Sequence, residues 1–368
     1  MKLMNKNISD IFISMIIYLL SYLVPSIKNR WVLSARGGEK YCDNSRYFFE
    51  WLSNYKQNEE CYWVTKNEHE VGNENFLYFY DVRNWLKIAS CHYIVCSHST
   101  TGNDVYKFVN KKKKLINLWH GIPLKKMGAI TKRNWAPFKS EPDLFLVPSS
   151  RDIDIFNNSY GISTTKFYIG QYPRVINLKT RWKRESKEIL YAPTFRDGQT
   201  ESYYLNNVFP NCETLDALNE FLVEKGFVLN VKLHPYSNAT FPESIHRNAI
   251  NVISPDEDIQ DYLVKANILI TDYSSIYLDY INVEGSVIFY LPDLKWYIKD
   301  ENRGFVSDFT DLIGEKRAYN GQELVNIIVG LINSSSEYKK EEKIFEYFYE
   351  NANSTNEDLF KKIKNNNG

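Results

Sequence analysis

The chain has 368 residues, 43% of them hydrophobic and 15% aromatic, and a formal charge of zero at pH 7. That length is long for one domain and natural for two, and the balance of 45 basic and 45 acidic residues argues against a nucleic-acid partner. The five cysteines, Cys42, Cys61, Cys91, Cys96 and Cys212, are scattered and form no CxxC pair, which speaks against a disulfide framework or a zinc site and fits a reducing cytoplasm.

In chain order, Ile8 to Pro25 is an apolar segment interrupted by Asp10, Ser14 and Ser21. It falls short of the roughly 20 residues a spanning helix needs, and no small-residue cleavage site follows it. Lys2, Lys6, Lys28 and Arg30 flank it and suit anionic headgroups. The reading is an interfacial membrane-contact helix over residues 1–27, with packing on the chain's own domain as the other possibility. Trp31 to Ser34 then reads as a strand and Asn44 to Asn54 as a helix with Phe48, Phe49 and Leu52 on one face. Cys61 to Thr65 and Phe76 to Tyr80 read as strands, Arg83 to Cys91 as a helix, and Tyr93 to Ser97 as a strand. The basic run Lys111 to Lys114 reads as a solvated loop. A strand from Leu115, another at Leu144 to Pro148, a helix from Asp152 and a strand at Phe167 to Gly170 close this half.

The charged stretch Leu178 to Glu188 resembles a linker, after which the pattern restarts. Ile189 to Thr194 is a strand, Cys212 to Lys225 a helix stopped by Gly226, and Val228 to Leu233 a strand. Asp258 to Ala266 is a helix, Ile268 to Thr271 a strand, Ser274 to Val283 a helix and Val287 to Leu291 a strand. The tail from Gln322 reads as helical with a disordered, Asn-rich end. Strands alternating with helices mean parallel sheets covered on both faces. The expected fold class is α/β, with two Rossmann-like domains facing a central cleft: residues 28–177 and 178–330, followed by carboxy-terminal helices over 331–368.

Ligands of open α/β sheets bind beyond the carboxyl ends of the strands, and the polar residues at those ends are unusual. His120 follows the run Leu115-Ile116-Asn117-Leu118-Trp119, with Gly121 beside it and Lys125 and Lys126 just beyond. A titratable ring, close backbone approach and positive charge suit an anionic substrate; a lone histidine in a turn would need no such role. His234 ends the strand that contains Lys232 and Leu233, where it could equally bond backbone. Thr271-Asp272-Tyr273-Ser274-Ser275 joins a strand to a helix that either serine could cap, and free N–H groups there favour a diphosphate. Arg174 and Arg196 could each fork onto phosphate oxygens or pair with a carboxylate such as Asp197.

The ordered set WHGIPLK (119–125), GQYPR (170–174), APTFRD (192–197), KLHP (232–235), TDYSSIYLDY (271–280) and RGF (303–305), with KYCDNS (40–45) upstream, resembles the CDP-glycerol glycerophosphotransferases of teichoic acid and capsule synthesis. The resemblance spans about residues 28 to 330. It implies a GT-B fold and transfer of an alditol phosphate, glycerol phosphate foremost, from CDP-glycerol or CDP-ribitol to a hydroxyl of an undecaprenyl-linked saccharide or growing polymer, with release of CMP. It implies His120 as general base and His234 as the second essential histidine, stabilising the departing CMP. Arg174 and the backbone at Ser274 and Ser275 would hold the phosphates, Pro193 and Thr194 would line the nucleotide site, and Asp279 would meet a ribose or alditol hydroxyl. Trp119, Gly121, Ile122, Pro123, Lys125, Arg196, Lys232 and Leu233 would complete the donor site. No acidic pair is placed for a metal, and neither metal nor cofactor is expected. The implied location is the cytoplasmic face of the cell membrane, as a peripheral protein. The absence of an extra amino-terminal domain resembles a priming, single-addition or capsule enzyme. A GT-B glycosyltransferase would share the fold, and an inert membrane scaffold would not need both histidines. A Rossmann oxidoreductase is disfavoured because no GxGxxG follows the first strand.

Overall fold

The computed structural model describes residues 2–72, 74–98, 109–131, 141–196, 199–233, 246–254, 257–299, 304–334 and 342–365. The chain divides into two compact units. The first comprises Met1–Ile122, Met127–Asn177 and Tyr349–Gly368; the second comprises Pro123–Lys126 and Leu178–Phe348.

The first unit holds strands β1 (Ile27–Ser34), β2 (Glu60–Thr65), β3 (Phe76–Tyr78), β4 (Cys91–Cys96), β5 (Lys114–Asn117), β6 (Leu144–Val147) and β7 (Phe167–Ile169). They form one seven-stranded sheet in the order β3-β2-β1-β4-β5-β6-β7, and every pairing is parallel. The second unit holds β8 (Glu188–Ala192), β9 (Val228–Val231), β10 (Ile250–Val252), β11 (Ala266–Thr271), β12 (Ser286–Tyr290) and β13 (Arg317–Ala318). Its six strands run in the order β10-β9-β8-β11-β12-β13, again all parallel. Both orders are doubly wound, with the switch point between β1 and β4 in one unit and between β8 and β11 in the other. Central strands are buried on both faces, as parallel sheets require: Trp31 to Ser34 and Ile268 to Thr271 are all buried.

Several boundaries depart from the sequence reading. β1 begins at Ile27, four residues before the apolar run, because Ile27 already pairs with Cys91. Cys91 opens β4 rather than ending a helix, and that helix covers Val82–Ala89. The stretch expected as a linker starts inside a helix, Pro173–Arg181, whose Val175 and Leu178 are fully buried one turn apart. The expected helices from Asp258 and Ser274 are single turns, Gln260–Leu263 and Ile276–Tyr280. The carboxy-terminal helix Asn356–Asn365 belongs to the first unit, where Leu359 and Ile363 are buried and Lys364 Nζ lies 2.8 Å from Glu59 Oε1.

The amino-terminal helix spans Lys2–Leu23. One face packs on the first unit: Ile17, with Ile13 and Leu20, joins a core that includes Val32, Val64, Leu77 and Ile94. Asp10 on that face accepts hydrogen bonds from Lys66 Nζ and the Tyr80 hydroxyl, each at 2.7 Å. The opposite face is apolar and exposed at Ile8, Ile11, Phe12, Met15 and Leu19. Among the described residues no helix is long and apolar enough to cross a membrane.

Candidate active site

At the switch point of the first unit, the carboxyl ends of β1, β4 and β5 bring together residues from five segments. β5 stops at Asn117, whose Oδ1 accepts from Trp119 N at 2.8 Å while its Nδ2 donates to His98 O at 3.0 Å. The carbonyls of the following residues are held in a row. Asn44 Nδ2 donates to Leu118 O at 3.1 Å and Trp119 O at 2.8 Å, and Arg174 Nη1 donates to His120 O at 2.7 Å. This bracing holds a backbone that local preference opposes. Among the described residues, three that are not glycine have positive φ: Arg36 (46°), Asp43 (66°) and Trp119 (49°). All three lie in this one network, since Arg174 Nη1 also bonds Asp43 Oδ1 at 2.6 Å and Arg36 Nη2 lies 3.7 Å from Asp43 Oδ2. Such conformations persist where surrounding structure over-determines them, and they concentrate at functional sites. Gly121, at φ 147°, follows directly in a region only glycine enters readily.

The His120 ring is fixed at both nitrogen and face. Nδ1 lies 3.0 Å from Ser97 O. A carbonyl only accepts, so Nδ1 carries the proton and Nε2 keeps its lone pair. One face stacks on His98, with centroids 4.3 Å apart and planes within 8°; Trp119 packs at 4.3 Å with a 34° tilt. Burial pushes the His120 pKa down to about 4, with Asp43 and the Ser97 contact opposing and Arg36 and Arg174 adding to the fall. His98 is held well below the usual histidine range by burial and then by His120, against the pull of Asp43. Burial pushes Asp43 up, but Arg174 foremost, with His98, Arg36 and His120, holds its carboxyl below the ordinary value. At neutral pH the site therefore contains two neutral imidazoles, one carboxylate and two guanidiniums.

The second unit's switch point lies where β8 runs into Pro193-Thr194 and β11 into Asp272. Asp272 Oδ1 accepts from Thr194 N at 2.8 Å and from Tyr273 N at 2.6 Å. Arg196 is clamped between carboxylates. Its Nη1 donates to Asp272 Oδ2 at 2.8 Å, and its Nε and Nη2 fork onto Asp293 at 2.8 and 3.0 Å. Its guanidinium also lies 5.0 Å from the ring centres of Tyr273 and Tyr297. Burial lowers the pKa of Arg196, and the two aspartates more than reverse that.

These contacts alter the expected site. Arg196 is fully buried, so its fork grips Asp293 rather than a phosphate. Arg174 likewise spends its Nη1 on Asp43 and the His120 carbonyl. Both follow the carboxylate-pairing alternative, with partners the sequence does not place beside them. Asp279 is buried and accepts from Gln260 Nε2 at 3.2 Å. Lys232 is buried with Nζ on Ser254 O at 2.7 Å, and Leu233 lies in the unit's core. Ser274 Oγ accepts from Ile276 N at 3.3 Å, and Ser275 makes no side-chain cap to its five-residue helix. Pro193 is buried and Thr194 half-buried.

The WHGIPLK segment crosses from the first unit to the second between Ile122 and Pro123. Trp119, Gly121, Ile122 and Pro123 are buried, while Lys125 pairs antiparallel with Phe305 and sets its Nζ 5.0 Å over the Tyr297 ring. His234, Asp197 and Arg303 lie outside the described residues. His98, Asp43, Asn44 and Arg36 escaped the residue-by-residue sequence reading. The available signal was position: His98 lies two residues past β4, the strand beside β5.

Two doubly wound parallel sheets, one carrying a braced histidine pair at its switch point, define an α/β protein with an enzyme-type site. The model of the family CDP-Glycerol:Poly(glycerophosphate) glycerophosphotransferase matches residues 16–358. The chain is 25% identical to the teichoic acid poly(glycerol phosphate) polymerase of Bacillus spizizenii, over 90% of each chain. It is 26% identical to the teichoic acid glycerol-phosphate transferase of Staphylococcus aureus, over 93% of this chain and 94% of that one. Its fold is similar to that of the wall teichoic acid polymerase TagF, with TM-score 0.70, 20% identity and coverage of 93% and 91%. The chain belongs to the CDP-glycerol:poly(glycerophosphate) glycerophosphotransferase family and is an enzyme of that class.

Proposed function

We propose that the enzyme transfers glycerol phosphate from CDP-glycerol to a hydroxyl of a lipid-linked saccharide or a growing teichoic acid or capsular polymer. The acceptor oxygen forms a bond to the β-phosphorus. The bond from that phosphorus to the bridging oxygen breaks, and CMP leaves with the electron pair. His120 Nε2 takes the acceptor proton. The observation that carries this reading is the His120–Ser97 contact, which leaves an unprotonated Nε2 on a neutral ring at pH 7. A conjugate acid of pKa about 4 makes a weak base in the unliganded protein. The anionic diphosphate supplies what is missing, because nearby negative charge stabilises the imidazolium that forms. Pro193, Thr194, Lys125 and the backbone around Ser274 and Ser275 are assigned to the donor, with His234 stabilising the departing CMP. Arg174 acts behind the site, holding the His120 carbonyl.

The test is CMP release from CDP-glycerol and from CDP-ribitol, each with and without a lipid-linked acceptor. CDP-glycerol with acceptor is expected to be the productive combination; a preference for CDP-ribitol would reassign the donor. His120→Ala is expected to abolish CMP release with CDP-glycerol binding retained, and full turnover would remove His120 as base.

The exposed stripe Ile8, Ile11, Phe12, Met15 and Leu19 supports peripheral attachment to a membrane. Arg83, paired with Asp81, is exposed on the neighbouring helix Val82–Ala89. Lys111 and Lys112 are exposed and follow Asn110, whose Nδ2 bonds the buried Ser21 of the amino-terminal helix. Leu19→Glu is expected to lower sedimentation with anionic vesicles without unfolding the protein. Unchanged sedimentation would sink the attachment.

A further inference from the structure

We propose that His98 is a positioning residue for His120: its stacked imidazole sets the plane in which the His120 ring keeps Nδ1 on the Ser97 carbonyl and Nε2 unprotonated. This rests on the reading of His120 as the base.

The need for such a residue follows from torsional freedom. The outer torsion of a histidine side chain is broad and roughly two-fold. A single hydrogen bond at Nδ1 defines one axis and leaves the ring to swing about it. A ring swung away from that axis would lose the bond to the carbonyl, and with it the constraint that keeps the proton on Nδ1. The stack at 4.3 Å with planes 8° apart closes that freedom, with Trp119 behind. His98 is itself buried and well anchored, with its carbonyl taking Asn117 Nδ2 at 3.0 Å. Asn117 also holds Trp119 N, so the backbones carrying the two rings are tied through one side chain.

The charges around the pair make the arrangement one-sided. Asp43 from the helix Asp43–Tyr55, Arg36 from the loop after β1 and Arg174 from Pro173–Arg181 face both rings. A proton on either imidazole disfavours one on the other, and burial lowers the pKa of both. When His120 accepts the acceptor proton, His98 stays neutral, so the new charge meets no like charge in the stack.

The experiment is 15N NMR of the full-length protein labelled at histidine, with pH profiles of kcat/KM for wild type, His98→Ala and His98→Phe. In wild type and His98→Phe, which keeps a flat ring, His120 is expected to show the Nδ1–H tautomer. In His98→Ala the signal is expected to move toward a tautomer mixture. There kcat should fall about 10-fold or more with KM for CDP-glycerol nearly unchanged, the scale of loss that misplacement of a catalytic group brings. The acid limb should rise from about 4 toward 6.5 as water reaches the ring. A His120 that keeps Nδ1–H in His98→Ala overturns the proposal whatever the activity. If His98→Ala does not fold, His98→Phe is compared with His98→Leu, and equal tautomer signals in the two overturn it. Turnover surviving in His120→Ala would sink the base reading alone, because the tautomer measurement does not depend on turnover.

Discussion

The two switch points occupy the same place in the same topology and handle polar groups in opposite ways. In the second unit, Arg196 is fully buried and compensated, with its guanidinium forked onto Asp293, bonded to Asp272 and lying over two tyrosine rings. In the first unit, the ionic pair Asp43–Arg174 is set back, and a half-buried His120 is left neutral and ready to take a proton. Burial does both jobs. Where charges meet partners it produces a pin; where a titratable ring meets few, it produces a group poised to change state.

The largest effect expected from this contrast is at the pin. Arg196→Met would leave Asp272 and Asp293 buried without their cation and should cost about 3–5 kcal/mol in chemical denaturation. A variant as stable as wild type would show that the second switch point is not held by charge. A smaller effect is expected from pH. The His120 pKa is depressed to about 4 from 6.5, so the unfolded chain binds its proton first. His120 therefore costs the fold nothing above pH 6.5, and stability falls as pH drops from there through about 4. His98, depressed in the same direction, adds to the fall. Urea midpoints across this window should show a shallower decline in His120→Asn than in wild type; parallel curves would break the assignment. The smallest effect is expected at the surface. Arg83 is 86% exposed in its pair with Asp81, and Arg83→Ala should leave the urea midpoint unchanged. A clear shift there would mean that exposed pairs matter more in this protein than the buried contrast implies.

The position of His120 was legible in sequence because it depends on local pattern: an apolar run, an abrupt stop and a glycine. The fate of the arginines was not, since a guanidinium suits phosphate and carboxylate equally. Arg196 finds Asp293 at a separation of 97 residues, and Asp43 finds Arg174 at 131. The amino-terminal helix shows the same division. Its apolar character was plain, but Asp10, which looked like an interruption of a membrane face, is the residue that seats the opposite face on Lys66 and Tyr80.

By itself the sequence determined the alternation of strands and helices, the parallel α/β class and the strand-end placement of His120, because backbone periodicity and stop signals act over a few residues. Tertiary structure alone decided that His98 stacks on His120 and that Arg196 is locked in a clamp. It also decided that the last helix returns to the first unit. Those outcomes depend on which distant side chains the sheet order brings together, and a side chain's partner sets its charge, its exposure and its chemistry.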